Sequence, residues 1–307
     1  LHASSQSVLA RRWHFDAPFG SIRRTMICLG IDVGGSSVKL ACMEDGKFLW
    51  TGQSGLYAKP NAEDLRKALR EAAAGRVSRV DKAGICVPGL LNESRTMVTL
   101  SVNVPGLMGL DLSQLARDAF GDGVPSVRTT NDSVSCAIDV IHALNLSGRT
   151  LVIALGTGVG CAVMDDHTPL FVDGESPGHL GQMDVTVDDP PTIGPDGGAG
   201  GLEGYCGVPA LRRMYGNDVN AALDKLTVND RPVKALARAI RIGHAIYRPH
   251  HVVLAGGIGI RFGKALPALR QLVEANLTSI ARKDRTLQCG VDDFHAARGA
   301  ARLASKF

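Results

Sequence analysis

The sequence predicts two α/β domains with a cleft between them. Three observations carry that prediction. Strand hairpins alternate with helical stretches, and the alternation occurs twice, once in each half of the 307-residue chain. Two runs, Leu29 to Leu40 and Leu151 to Met164, each read as strand, glycine turn and strand. They lie far enough apart in sequence to come one from each half. A third run, Val252 to Gly259, reads as a buried strand entering another glycine turn. The length suffices for two domains, each with its own core.

The elements follow from local pattern. Apolar alternation predicts strands at 26–33, 36–43 and 47–52. Residues 62–75 carry helical spacing, residues 82–88 form an apolar run, and 112–120 read as a short helix. A strand at 126–130 leads into a helix that Asn131-Asp132-Ser133 can cap. Strands follow at 150–156 and 159–164. The stretch 187–201 is polar and rich in proline and glycine, so it reads as a long loop, uncommon unless functional. Helices at 207–214 and 230–246, a strand at 251–255 and helices at 261–277 and 295–305 complete the chain. The domain division expected is 26–130 with 294–307 for the smaller domain and 131–293 for the larger.

Composition narrows the class. The 34 basic and 30 acidic residues leave +4, spread without long runs. That argues against a nucleic-acid tail or a polybasic membrane anchor. No apolar stretch reaches the ~18 residues of a membrane span. Seven scattered cysteines, several inside apolar strands and none in a CxxC pair, read as reduced thiols in a cytoplasmic protein. Residues 1–25 carry several arginines against one acid, Asp16, and have no signal-peptide core. They are expected to be a disordered or mis-assigned extension ahead of Met26.

The glycine turns suggest phosphate chemistry. Glycines let a backbone fold closely around a ligand, and successive N–H groups in such a turn make a concave anion site. Gly34, Gly35, Ser36 and Ser37 supply the first such turn, with Lys39 just beyond, and Gly156, Thr157 and Gly158 supply the second. Gly256 and Gly257 follow the third strand, where a nucleotide base or ribose could approach. Asp32 can hold a water on Mg²⁺. On residue chemistry alone, Asn131-Asp132 reads more readily as a helix cap than as an acid–base pair.

Taken together, the motifs resemble the actin–hexokinase–Hsp70 type of ATPase, and more closely the ROK family (repressors, open reading frames, kinases) of bacterial sugar kinases. The matching residues are Ile31 to Ser36, Gly84 to Gly89, Asn103-Val104-Pro105-Gly106, Asn131-Asp132-Ser133, Gly156 to Gly160, Gly178-His179, Gly200 to Glu203 and Val253 to Gly257. The resemblance implies two ribonuclease-H-like domains and an interdomain cleft. It makes Asp132 the base that takes the proton of the attacking sugar hydroxyl. It implies Asn103, Asn131, His179 and Glu203 as sugar ligands, ATP as donor and Mg²⁺ as cofactor. A homodimer is expected, with no nucleic-acid or membrane partner.

Two departures stand out. Many ROK proteins hold a structural zinc with a histidine and three cysteines. Here the cysteine positions are Gly194, Asp196 and Gly201, so no zinc is expected. The family's Glu-x-Gly-His reads Glu175-Ser176-Pro177-Gly178-His179, which puts Glu175 one residue early and Ser176 in its place. The simplest expectation is an ATP-dependent glucokinase. A polyphosphate-dependent glucokinase or a fructose, mannose or amino-sugar kinase is the alternative. A sugar-sensing protein without turnover is the alternative of another class.

Overall fold

The computed structural model describes residues 25–172, 178–195 and 197–306. The first strand, β1 (Ile27–Val33), is buried along almost all its length, as its run of Cys28, Leu29, Ile31 and Val33 requires. It turns at Gly34 to Ser37 into β2 (Val38–Glu44), which turns at Asp45-Gly46 into β3 (Lys47–Gln53). The helix α1 (Ala62–Ala73) starts at a capping box. The Asn61 side chain accepts from the Glu63 and Asp64 N–H groups, and Asp64 accepts from the Asn61 N–H. Then come β4 (Lys82–Val87), the small pair β5 (Leu90–Leu91) and β6 (Val98–Leu100), helix α2 (Leu112–Phe120) and β7 (Val127–Asn131).

The second half repeats the plan. After α3 (Asp132–Ala143) come β8 (Arg149–Leu155), β9 (Val159–Asp165) and the short β10 (Thr168–Pro169). Helices α4 (Glu203–Cys206), α5 (Val208–Tyr215), α6 (Val219–Leu223) and α7 (Arg231–Tyr247) lead to β11 (His251–Ala255). The chain ends with α8 (Gly256–Arg261), α9 (Leu266–Glu274), β12 (Thr286–Cys289) and α10 (His295–Ser305).

The two main sheets have one topology. Strand order is β3-β2-β1-β4-β7 in the first and β10-β9-β8-β11-β12 in the second. In each, the first three strands pair antiparallel and the last two join in parallel. Parallel joins require helical crossovers, which α1 and α2 provide in the first sheet and α7 and α9 in the second. Each sheet carries its own apolar cluster, one including Ile31, Leu65, Leu69 and Ile85, the other Ile153, Tyr205, Ile240 and Phe262.

One helix crosses back. From the far end of the sequence α10 returns to lie between the first sheet and α3. It fits because the contact faces are stripped of side chains. A Cβ at Gly30 would meet the Ala297 carbonyl at 1.9 Å, and one at Gly84 the Ala300 carbonyl at 2.1 Å. On the other face, a Cβ at Gly299 would sit 1.7 Å from the Ser135 carbonyl.

The third glycine run follows a buried strand as expected, and its turn opens a helix: Gly256 takes φ 76° and α8 begins there. One expectation is corrected. The helix expected at 261–277 is broken into α8, a 3-10 turn over Phe262–Ala265, and α9. Pro267 lacks an amide N–H and belongs in a first turn, so α9 restarts around it. Among the described residues no helix is long and apolar enough to cross a membrane.

Candidate active site

A cavity of about 670 Å³ opens between the two sheets. The two glycine turns meet across it. Ser36 Oγ and Thr157 Oγ1 lie 2.7 Å apart, although 121 positions separate them in the chain. Gly35 makes that approach possible, because a Cβ there would meet Thr157 Oγ1 at 2.9 Å. Each turn is also closed internally. The Gly34 N–H donates to the Ser37 carbonyl at 3.1 Å, and the Gly156 N–H to the Gly158 carbonyl at 2.9 Å. Tyr57 fixes the first turn by donating its hydroxyl to the Gly34 carbonyl at 2.7 Å. Ser37 Oγ accepts from Gln53 Nε2 at 3.0 Å.

Asp32 ends β1 with its carboxylate on the cavity wall, only 7% exposed. Its side chain accepts a hydrogen bond from the Cys86 thiol, at a long 3.7 Å. Burial pushes its carboxyl up to about 6, with Lys39 pulling it down and Asp293 pushing it further up. A buried hard oxygen donor with so weak a partner fits Mg²⁺ held through water.

Asp132 opens α3 as the sheet hands over to the helix. Asn131 caps that helix, its Oδ1 accepting from the Ser133 N–H at 3.0 Å. Asp132 Oδ1 accepts from the same N–H at 2.7 Å. The capping role read from the residues is therefore real, and Asn131 performs it, which leaves the Asn131 Nδ2 amide for a ligand. Burial, and after it the charge of Asp32, pushes the Asp132 carboxyl up to about 7. A carboxylate so tuned suits a general base near neutral pH.

The expected sugar ligands gather at Gly158. A Cβ there would lie 2.8 Å from Glu203 Oε2 and 3.1 Å from Asn103 Nδ2, so only glycine lets these two side chains from opposite halves converge. Glu203 also accepts the Val159 N–H at 2.9 Å. His179 is exposed on the cavity lining, at the start of a 3-10 turn over Leu180–Gln182. Glu175 and Ser176 lie outside the described residues. Gly256 and Gly257 also line the cavity.

The loop that positions Glu203 is organised by backbone and carboxylate contacts. Ile193 bridges Ala199, and the Gly194 N–H donates to the Gly198 carbonyl at 2.8 Å. Asp188 accepts from the Tyr205 hydroxyl at 2.5 Å and the Thr192 hydroxyl at 2.9 Å. Gly194 and Gly201 carry no side-chain donor, and Asp196 lies outside the described residues. Among the described residues no group of three or more His, Cys, Asp or Glu is placed to hold a metal.

Two features escaped the sequence reading. Lys39, expected to face phosphate, is ion-paired instead: its Nζ lies 2.5 Å from Asp293 Oδ2. Asp292-Asp293 ahead of the last helix reads in sequence as a pair of helix-start acids, and only the return of α10 brings Asp293 to the cavity. The second feature is Asp139, fully buried two turns into α3. His295 Nδ1 and Arg302 Nε, both from α10, bond it at 2.7 Å. Burial alone would raise its carboxyl, but those two bonds outweigh that and hold it below the usual range. His295 Nε2 accepts the Val291 N–H at 2.9 Å, which ties the same network to the segment carrying Asp293.

Known proteins are similar along most of the chain. The sequence profile of the ROK family matches residues 28–307. An N-acetyl-D-glucosamine kinase of Erwinia tasmaniensis is 27% identical over 310 residues, covering 91% of this chain and 99% of its own. An N-acetylmannosamine kinase of Vibrio cholerae is 27% identical over 173 residues, covering 54% of this chain and 57% of its own. Among solved structures, a ROK family glucokinase from Streptomyces griseus, in complex with glucose and AMPPNP, superposes with a TM-score of 0.67 at 20% identity. It covers 92% of this chain and 100% of that one.

Proposed function

Because the chain belongs to the ROK family, we propose that it is an ATP-dependent sugar kinase that transfers the γ-phosphate to a hexose hydroxyl, with Asp132 as the base. The observation that carries this reading is the half-buried Asp132, its carboxyl raised to about 7, in a cavity where two glycine turns face each other. The sugar hydroxyl oxygen attacks the γ-phosphorus, the bond to the bridging oxygen breaks, ADP leaves, and the hydroxyl proton passes to Asp132. Phosphoryl transfer asks for little beyond positioning and charge stabilisation. Asn103, Asn131 and Glu203 orient the acceptor, with His179 at the rim. The N–H groups and hydroxyls of the Gly34–Ser37 and Gly156–Gly158 turns hold phosphate oxygens. Mg²⁺, held through Asp32, would neutralise charge on those phosphates.

The acceptor favoured is an N-acetylated hexosamine before glucose. The support is similarity: a relative aligned along nearly its whole length is an N-acetyl-D-glucosamine kinase. The experiment is a coupled ADP-release assay over glucose, fructose, mannose, N-acetylglucosamine and N-acetylmannosamine, with ATP and again with polyphosphate. Highest kcat/KM on an N-acetylated hexosamine with ATP is the expected result. Release of ADP with none of the sugars, despite their binding, would replace the kinase by a sensor.

A further inference from the structure

We propose that Asp293 is a counter-ion gate, holding Lys39 away from the phosphate site until a metal-bearing nucleotide displaces it. The inference rests on the reading that nucleotide phosphates occupy the space between the glycine turns. Lys39 comes from β2 and Asp293 from the segment ahead of α10, so their pairing joins distant parts of the chain. Lys39 is well covered, with its side chain 13% exposed, while Asp293 is 39% exposed on the cavity side. Asp293 also hangs over the start of α8, where a Cβ on Gly257 would meet its Oδ2 at 3.1 Å.

The charge balance gives this pair a consequence. Carboxyl groups of Asp32, Asp132, Glu203 and Asp293 line the cavity against the cations Lys39 and Arg261, while Asp292 on the same lining is paired with Arg298. With Lys39 engaged by Asp293, the lining field is acidic, and a metal-free nucleotide meets repulsion. A nucleotide carrying a divalent cation brings the missing positive charge. Asp293 would then be drawn to that positive charge, and Lys39 would be released to a phosphate oxygen. The gate therefore makes this chain discriminate metal-bound from metal-free nucleotide at the binding step.

An ordinary structural ion pair makes a different forecast. Breaking it would weaken metal-free and metal-bound nucleotide together, or leave both unchanged. The test is calorimetric titration of ADP in EDTA and ADP with Mg²⁺ into wild type, Asp293→Asn, Lys39→Met and the double variant. Thermal melts confirm that each variant is folded. For Asp293→Asn, metal-free ADP should bind about tenfold tighter, the scale of one freed charge-assisted hydrogen bond. Mg·ADP should gain less or lose affinity, so the preference for the metal complex narrows. Lys39→Met in the Asp293→Asn background should erase the gain. Metal-free ADP binding no tighter to Asp293→Asn than to wild type overturns the gate. Should Asp293→Asn fail to fold, Asp293→Ser must give the same gain, and its absence overturns the gate equally. Wild type that binds no nucleotide with Mg²⁺ overturns the kinase reading itself, and the gate with it.

Discussion

Asp132 carries two opposed demands. Its carboxyl is raised to about 7, so it is protonated over much of the range in which ordinary aspartates are ionised. As a base it works only deprotonated, so kcat/KM should climb as pH rises through about 7 and level above it. The same shift works against stability at high pH. The folded protein holds this proton more tightly than the unfolded chain, so Asp132's contribution to stability is fully present below the unfolded value near 4. That contribution is lost as pH rises through about 7, by on the order of 4 kcal/mol for a shift of this size. Asp132→Asn should therefore lower turnover by roughly 10²–10⁴, leave sugar binding largely intact and raise the melting temperature of the ligand-free protein at pH 8. Near wild-type turnover, or a variant that melts lower at pH 8, would remove Asp132 from the role. The candidate site was legible from the order of its motifs, which resembles a known family; residue chemistry alone read Asn131-Asp132 as a helix cap, and Asn131 does cap α3. Asp293 and Asp139 were not legible. Their significance depends on where α10 returns, and no local pattern encodes a contact across 254 residues.

At the scale of elements, the strands and long helices were readable because each carries a periodic apolar face. The pieces missed were short. β5, β10 and α4 span two to four residues, too few for a period to register. The helix break at Pro267 was overlooked because apolar spacing continues through it. The tightest element contact is α10 in its slot, and its cause is also visible: glycine and alanine dominate His295–Ser305. Packing this close leaves no room for a methyl group. Gly299→Ala would drive a Cβ to 1.7 Å from the Ser135 carbonyl, one turn from Asp132. Overpacking of this kind costs roughly 1–3 kcal/mol or more. Gly123→Ala is the matched control, because a Cβ there meets nothing within 4 Å. Urea unfolding should separate the two variants by at least the lower figure. Gly299→Ala as stable as Gly123→Ala would mean that α10 sits more loosely than its contacts state.

At the scale of the molecule, the two sheets share one topology and converge on one cavity, and this arrangement makes motion part of the function. We propose that residues 26–130 with 294–307 and residues 131–293 move as two bodies. The joint is the crossing of α3 and α10. Asp139 pins it by bonding His295 and Arg302, so the crossing resists sliding and favours rotation about itself. At the base of the cleft, Ser36 and Thr157 already touch at 2.7 Å. Asn103 of one body and Glu203 of the other already converge on Gly158, so the separation that can change is the one towards the exposed His179. A sugar that bonds both bodies stabilises the closed arrangement by its differential contacts with the two states. Closure also expels water that would compete for the phosphoryl group. Small-angle scattering should accordingly give a smaller radius of gyration with the accepted sugar than without it. The contraction should vanish in a variant lacking one such contact, Asn103→Ala, even at sugar concentrations that saturate it. An unchanged radius in wild type at saturating sugar would mean that the cleft is preformed, and that Asn103 and Glu203 hold the acceptor without any approach of the two bodies.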